Sequence, residues 1–451
     1  MRLAPVAILL LLPTLRVVAQ PTPPDTALVR EAVDGVAVPA WSGMMRVDRT
    51  ALRRLYARVG YRPVWTVAGR PTRQARQVID VLAGAETRGQ QPAAYDAAAL
   101  QARADALAGG RSVPASTVAS FDVTLSTTLM RLLAALHAGR VDPRTLGFRL
   151  PDAHAHVDLA ALVLDVSRAP DVAVAIAAVE PPFPGYVALT RALARYRTLA
   201  ADAALRPPRP AARTLRPGDA YADAAALRRL LAALGDLPAG DRRVGGRLVG
   251  DVAAGQAAPD AADTVYDSTL VAAVASFQRR HGLVPDSVVG PATMAQLRVP
   301  LTNRVEQIAL TLERWRWLPD VPPDRYLVVN IPAFELRYFD SGPAGACPTF
   351  ATRVIVGQAE GRHDTPVFVG TMRQVVFRPY WDVPLSIARK ELLPKIRRDR
   401  SYLAREALEI VRGGDDDAVV HAPTAANLDR VAAGTLRLRQ RPGPRNALGL
   451  V

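Results

Sequence analysis

Apolar positions in the first three hundred residues recur mainly with helical spacing. Leu52, Leu55, Tyr56 and Val59 fall at i, i+3, i+4 and i+7, on one face of a helix. Leu125, Leu129, Leu132, Leu133 and Leu136 do the same before Gly139, a helix stop. A stripe of Leu227, Leu230, Leu231 and Leu234 ends at Gly235, and Leu270, Val274 and Phe277 run through F-Q-R-R-H-G-L to Gly282. V-V-G-P-A-T-M-A-Q-L starts a third short helix with Pro291 in its first turn. Asn303 to Trp317 is a longer helix carrying Val305, Ile308, Leu312 and Trp315 along one side. The period changes at Arg325. From there to Ala388, strand-length apolar runs alternate with Gly and Pro, which predicts a β-meander. Phe334, Leu336 and Tyr338 alternate with Glu335, Arg337 and Asp340, a strand with one wet face. Val354, Ile355 and Val356 before Gly357, and Val367, Phe368 and Val369 before Gly370, predict two more short strands.

The 451 residues are too many for one ordinary core and suggest about three domains. Hydrophobic content of 49% with 22% charged residues indicates globular domains. The formal charge of +15 rests almost wholly on arginine, since Lys390 and Lys395 are the only lysines. These arginines are scattered among alanines rather than clustered with aromatics, so no nucleic-acid partner is expected. A bias in composition accounts for most of the charge; attraction to an acidic cell-wall polymer or membrane surface is the alternative. Arg2, the apolar run from Val6 to Leu12 and Val17-Val18-Ala19 form a secretory signal pattern over residues 1–19. Its apolar run is too short to span a bilayer, and no later run is long and apolar enough, so no integral membrane segment is expected after signal removal. An exported chain with the single cysteine Cys347 has no internal disulfide framework.

Candidate chemistry is sparse. His154 and His156 sit two apart in D-A-H-A-H-V-D with no third ligand nearby, which favours a solvated loop over a metal. Asp415-Asp416-Asp417 lacks the Gly and Glu that a calcium loop needs. His281 reads as a helix-end residue capping the last carbonyls, and His421 as a surface histidine. No zinc set or paired-carboxylate cleft of a hydrolase stands out, and neither cofactor nor metal is expected.

Several blocks resemble the large L,D-transpeptidases of bacterial cell walls. They are L-E-R-W-R-W-L-P, R-Y-L-V-V-N-I-P-A-F, R-V-I-V-G, T-P-V-F and P-Y-W-D-V-P-L-S-I-A-x-x-E-L-L-P. Upstream, Y-R-P-V-W (Tyr61 to Trp65), Pro92 with Tyr95, and L-H-A-G-R-V-D-P ending at Pro143 resemble the helical scaffold of those proteins. F-Q-x-x-H-G-L followed by D-x-x-V-G-P-x-T resembles a peptidoglycan-binding-like domain. The implied fold is multi-domain α+β: a helical scaffold, a small three-helix peptidoglycan-binding-like domain and an incomplete β-rich YkuD-type domain with a helical capping insertion. The expected limits are signal peptide 1–19, linker 20–45, scaffold 46–200, linker 201–215, binding-like domain 216–300 and connecting helix 301–324. The partial catalytic domain follows at 325–451, with its insertion at about 386–430.

The resemblance implies an exported acyltransferase of the periplasm or cell envelope, acting on the stem peptides and glycan of peptidoglycan. A cysteine thiolate attacks the donor stem, D-alanine leaves, and an amine of a second stem completes the cross-link. A thiol of pKa about 8.5 needs a neighbouring histidine, and the oxyanion needs N–H donors. The family's S-H-G-C-x-R motif is absent from this sequence, so its Cys and His are expected beyond Val451 and no catalytic residue is assigned. Cys347, in G-A-C-P-T-F, has no histidine in local context and reads as a loop thiol; His363, in H-D-T-P, aligns with the earlier T-P-V-F block. Tyr380 and Trp381 either line the substrate groove or serve as packing aromatics. Two functions stay open: a transpeptidase-family protein inactive as written, and a non-catalytic peptidoglycan-binding or scaffolding protein.

Overall fold

The computed structural model describes residues 26–37, 45, 47–109, 113–148, 150, 157–237, 243–244, 247–248, 264–318, 325–340, 348–357, 364–413 and 417–448. The chain divides into two compact units, Met1–Val369 and Gly370–Val451. The division falls inside the stretch expected to be a single catalytic domain from residue 325. The signal pattern, His154, His156, Cys347, His363, Asp415 and Asp416 lie outside the described residues.

In the first unit the helical stripes fold as their spacing predicts. The scaffold comprises α1 (Thr26–Gly35), α2 (Arg49–Arg58), α3 (Arg73–Ala83), α4 (Ala97–Ala108), α5 (Ala115–Ala138), α6 (Leu159–Arg168) and α7 (Val172–Ala177). A hairpin of β1 (Thr66–Val67) and β2 (Arg70–Pro71) follows α2. Helix α5 is the hub, with Leu125, Leu129, Leu132, Leu133 and Leu136 all buried. Side chains of that size each favour the folded state by about 1.5–3 kcal/mol through burial. This helix is long and apolar enough to cross a membrane, contrary to the expectation that no later run would be, but 83% of its most apolar window is buried inside the protein. It is a core helix. Asp158, Asp171 and Thr72 cap α6, α7 and α3 by accepting N–H bonds from their first turns.

Helix α8 (Pro184–Ala201) leaves the scaffold, and Arg206-Pro207-Pro208-Arg209-Pro210 follows as expected. The segment is anchored: the Asp223 carboxylate accepts from the Arg206 guanidinium and, at 2.6 Å, from the Arg209 N–H. Beyond it α9 (Ala224–Leu234), α10 (Ser268–Arg280) and α11 (Pro291–Leu297) enclose a second core of Leu227, Leu231, Leu270, Val274 and Phe277. Between α9 and α10 the backbone pairs β3 (Arg243–Val244) with β4 (Arg247–Leu248). Gly235 and Gly282 end their helices at φ +82° and +66°, where a side chain would be strained. Helix α12 (Leu301–Trp315) packs along α8 through Val305, Ile308, Leu312 and Trp315.

A three-stranded antiparallel sheet follows, ordered β5 (Arg325–Asn330), β6 (Glu335–Asp340), β7 (Phe350–Arg353). Its wet-face alternation is blurred, because Leu336, Tyr338 and Phe339 are all half-buried. The two further strands do not form. Val354, Ile355 and Val356 carry no ladder, and Phe368 holds an isolated bridge position. Ile355 is 100% exposed and Phe368 64%. A strand pattern in sequence gains its energy only when a partner supplies both a full set of hydrogen bonds and a face to cover. Here Val354 donates one bond to the Phe334 carbonyl, and Ile355 and Phe368 stay uncovered.

The second unit has a four-stranded antiparallel sheet ordered β10-β9-β11-β8, made of β8 (Trp381–Asp382), β9 (Leu408–Arg412), β10 (Val419–His421) and β11 (Arg437–Gln440). Helices α13 (Leu385–Ile387), α14 (Leu393–Arg398), α15 (Ser401–Arg405) and α16 (Ala425–Ala433) cover a core of Val383, Leu393, Ile396, Ile410, Val431 and Leu438. The insertion expected to be helical therefore contains β9 and β10. Leu408, Ile410 and Val411 are buried, and pairing with β11 satisfies a backbone that a lone helix would have placed outside the sheet.

Candidate functional site

Tyr380 and Trp381 stand at the edge of the second unit's sheet. Trp381 pairs in register with Gln440, and its ring packs on the core containing Val383 and Leu438. Tyr380 is 42% exposed, and the Arg439 guanidinium lies 4.0 Å from its ring centroid. Arg439 is buried and paired with Glu409 at 3.4 Å; Arg441 approaches the other oxygen of the same carboxylate at 3.4 Å. One face of the Tyr380 ring is thus held on a fixed cation.

The stretch R-Q-R-P-G-P-R-N-A-L closes beside these aromatics. The Gln440 amide donates to the carbonyls of Glu406 (2.9 Å) and Arg445 (2.8 Å) and accepts from the Ala447 N–H at 3.0 Å. Asn446 donates to the carbonyls of Pro379 (2.9 Å), Arg441 (3.1 Å) and Gln440 (3.3 Å). Both side chains are buried, so each replaces backbone pairing that an irregular loop cannot make for itself. The result is a rigid frame ending at Pro379, one residue before Tyr380. His421 lies in β10, half-buried, opposite Ile410. No group of metal-ligating side chains occurs among the described residues.

The three-helix domain shows what its motif is for. Gln278, 1% exposed, donates to Asp286 Oδ1 (2.9 Å), the Val288 carbonyl (3.0 Å) and Thr293 Oγ1 (3.1 Å), and accepts from the Ser287 N–H at 2.9 Å. The Q of F-Q-x-x-H-G-L therefore ties the D and T of D-x-x-V-G-P-x-T into one network. His281 closes the end of α10, as the sequence suggests. Its backbone N–H meets the helix-end carbonyls, while its ring stacks on Phe277 with centroids 4.0 Å apart. Burial, then the Arg280 and Arg304 charges, pull its pKa down to about 4, and its buried Nε2 has no partner among the described residues.

The L-E-R-W-R-W block is a buried interlock. Glu313 accepts the backbone N–H groups of Arg140 and Val141 at the G-R-V-D turn. Gly139 there has φ +85°, and a Cβ would meet Glu313 Oε1 at 2.7 Å and Trp317 Nε1 at 2.9 Å. Arg316, 0% exposed, pairs with Glu313 at 3.5 Å and donates to the Arg88 carbonyl (2.6 Å) and the Tyr186 hydroxyl (2.9 Å). Trp315 leaves no room for a Cβ at Gly185 and packs against Phe183, whose ring also meets Tyr326 of β5 edge-on. The residue roles were not legible from the block alone, since apart from the Glu313–Arg316 pair the partners come from distant segments.

Sequence reasoning also passed over Asp122. It is fully buried in α5, where it accepts from the Tyr56 hydroxyl (2.8 Å) and the backbone N–H groups of Val64 (2.8 Å) and Trp65 (2.7 Å). Trp65 Nε1 donates to Ser126 Oγ at 2.8 Å. Burial pushes the Asp122 carboxyl up to about 6 against these donors. The available signal was an Asp on the core face of an apolar helix, F-D-V-T-L-S.

Three family descriptions match this chain in order: Scaffold domain over residues 50–193, Putative peptidoglycan binding domain over 221–297, and L,D-transpeptidase catalytic domain (YkuD) over 324–444. The chain belongs to the L,D-transpeptidase family. A curated relative, a Putative L,D-transpeptidase of Haemophilus influenzae, is 31% identical over 110 residues, covering 24% of this chain and 21% of that protein. The match thus spans about a fifth of the relative's length.

Proposed function

We propose that this is an envelope protein of peptidoglycan cross-linking that engages stem peptides and glycan but does not itself complete acyl transfer as the 451-residue chain. The observation that carries the reading is the ordered set of scaffold, peptidoglycan-binding and YkuD matches. The basic-then-apolar start over residues 1–19 supports export to the periplasm. Inactivity is supported by the sequence, which holds Cys347 as its one thiol and no S-H-G-C. Acyl transfer through sulfur requires a thiolate next to a base. The exposed Tyr380 ring, held on Arg439, is the surface we assign to the stem peptide, with Trp381 supporting it from the core side. Incubation of the purified chain with a carbapenem and intact-mass measurement tests the chemistry. No adduct is expected; stoichiometric acylation at Cys347 would overturn it.

The alternative, a non-catalytic murein-binding or scaffolding protein, is favoured by the match of residues 221–297 to a putative peptidoglycan binding domain. Co-sedimentation with purified sacculi at physiological salt discriminates. A chain that stays in the supernatant is not such a binder.

A further inference from the structure

Between Lys390 and Arg405 the sequence places six cations and two anions, and both lysines of the chain are among them. The residues lie on a π-helical turn at Ala388–Leu392 followed by α14 and α15. Ala388, Leu392, Leu393, Ile396 and Leu403 bury the inner side of these helices. Lys390, Lys395, Arg398 and Arg400 are all exposed on the outside.

Some exposed arginines elsewhere are matched by acids, as in Arg53–Asp34, Arg58–Asp158 and Arg337–Glu335. Others, Arg54, Arg76, Arg103 and Arg191, are exposed but far apart along the scaffold sequence; the run from Lys390 to Arg405 differs by its density of cations. Here Asp399 is already engaged by Arg405, and Arg397 reaches Asp429. Among the described residues no carboxylate pairs with Lys390, Lys395, Arg398 or Arg400, although Lys395 lies 5.7 Å from the Tyr402 ring centroid. Glu391 offsets one of these four charges, and the excess that remains costs self-repulsion, which an external anionic partner relieves.

The shape of the face selects that partner. It is the outer side of helices lying on a core, hence convex. A single flexible polymer with widely spaced carboxylates would need a groove to reach all four cations at once. A plane dense in phosphates offers every cation a partner without one. Leu385, 37% exposed at the start of α13, adds one apolar side chain at the end of the same helical run. We propose that this face docks electrostatically onto an anionic phospholipid surface. The inference is independent of both acyl transfer and murein binding.

Co-sedimentation of the full chain with vesicles of phosphatidylglycerol and phosphatidylcholine, against phosphatidylcholine alone, tests it. Binding is expected only with the anionic lipid and should weaken steeply as salt shortens the screening length. Each cation is expected to contribute about fivefold, so neutralising Lys390, Lys395, Arg398 and Arg400 to Gln should cost on the order of 100-fold or more. A control with the same charge change at Arg54, Arg76, Arg103 and Arg191, all exposed scaffold residues, should bind within about threefold of the parent. A Lys390→Glu/Lys395→Glu double variant repeats the test with fewer changes if the quadruple variant melts early. Equal loss in the control, equal binding to neutral vesicles, or no binding to anionic vesicles each overturns the proposal, even where the protein binds sacculi.

Discussion

The interlock beneath α12 and the apolar strip from Val354 to Phe377 are both built from blocks characteristic of the family, yet they behave oppositely. In the first, Arg316 is wholly buried and donates to the Arg88 carbonyl and the Tyr186 hydroxyl, while its ion-pair partner Glu313 holds the Gly139 turn. In the second, Ile355, Phe368 and Phe377 are 100%, 64% and 72% exposed and form no ladder. Polar residues hold the first together, and apolar residues leave the second without a core. Polarity by itself therefore does not decide burial; the supply of partners does.

That contrast breaks most directly at Arg316. Replacing it with Met leaves the Glu313 carboxylate buried without its cation, and should cost about 3–5 kcal/mol in urea unfolding of the first unit. A loss below about 1 kcal/mol would show the interlock to be incidental.

A pH comparison sharpens the picture within the first unit. The Asp122 pKa is raised in the folded scaffold, to about 6 from an ordinary 3.8, so its contribution is fully present below pH 4 and is lost as pH rises through 6. That loss is on the order of 2–3 kcal/mol. His281 is shifted the other way, from 6.5 down to about 4, so the three-helix domain gains stability as pH rises from 4 to 6.5. Hydrogen exchange read on α5 and α10 peptides should therefore show opposite slopes between pH 4 and 6. Asp122→Asn should flatten the first slope and leave the second intact; parallel slopes in the parent chain would refute the assignment.

The smallest effect is expected in the strip. Ile355→Ser and Phe368→Ser should change stability by no more than about 0.5 kcal/mol, because neither side chain is buried. Both should lower binding of a hydrophobic dye. A loss above about 2 kcal/mol would mean that these residues are packed in solution.

Much of the helical architecture was legible in the spacing of Leu52, Leu55, Tyr56 and Val59, of the α5 leucines, and of Leu270, Val274 and Phe277, all on core faces. Helix stops at Gly235 and Gly282 and the start at Pro291 were equally plain, since they depend on local φ preferences. The strand pattern at Val354 and Val367 misled for the complementary reason: a strand is a pairing, and its partner is not written in its own residues.

For the candidate site, sequence singled out Tyr380 and Trp381 as neighbours without distinguishing them. The sheet separates them, with Trp381 against the core and Tyr380 outward on Arg439. Blocks such as Y-R-P-V-W, L-E-R-W-R-W and F-Q-x-x-H-G-L named the family by themselves, because identity at fixed spacing is a property of the chain. What Asp122, Gln278, Glu313 and Arg316 do was decided by tertiary structure alone. A buried polar group is stable only where several distant donors and acceptors converge on it, and that convergence exists only once the chain has folded.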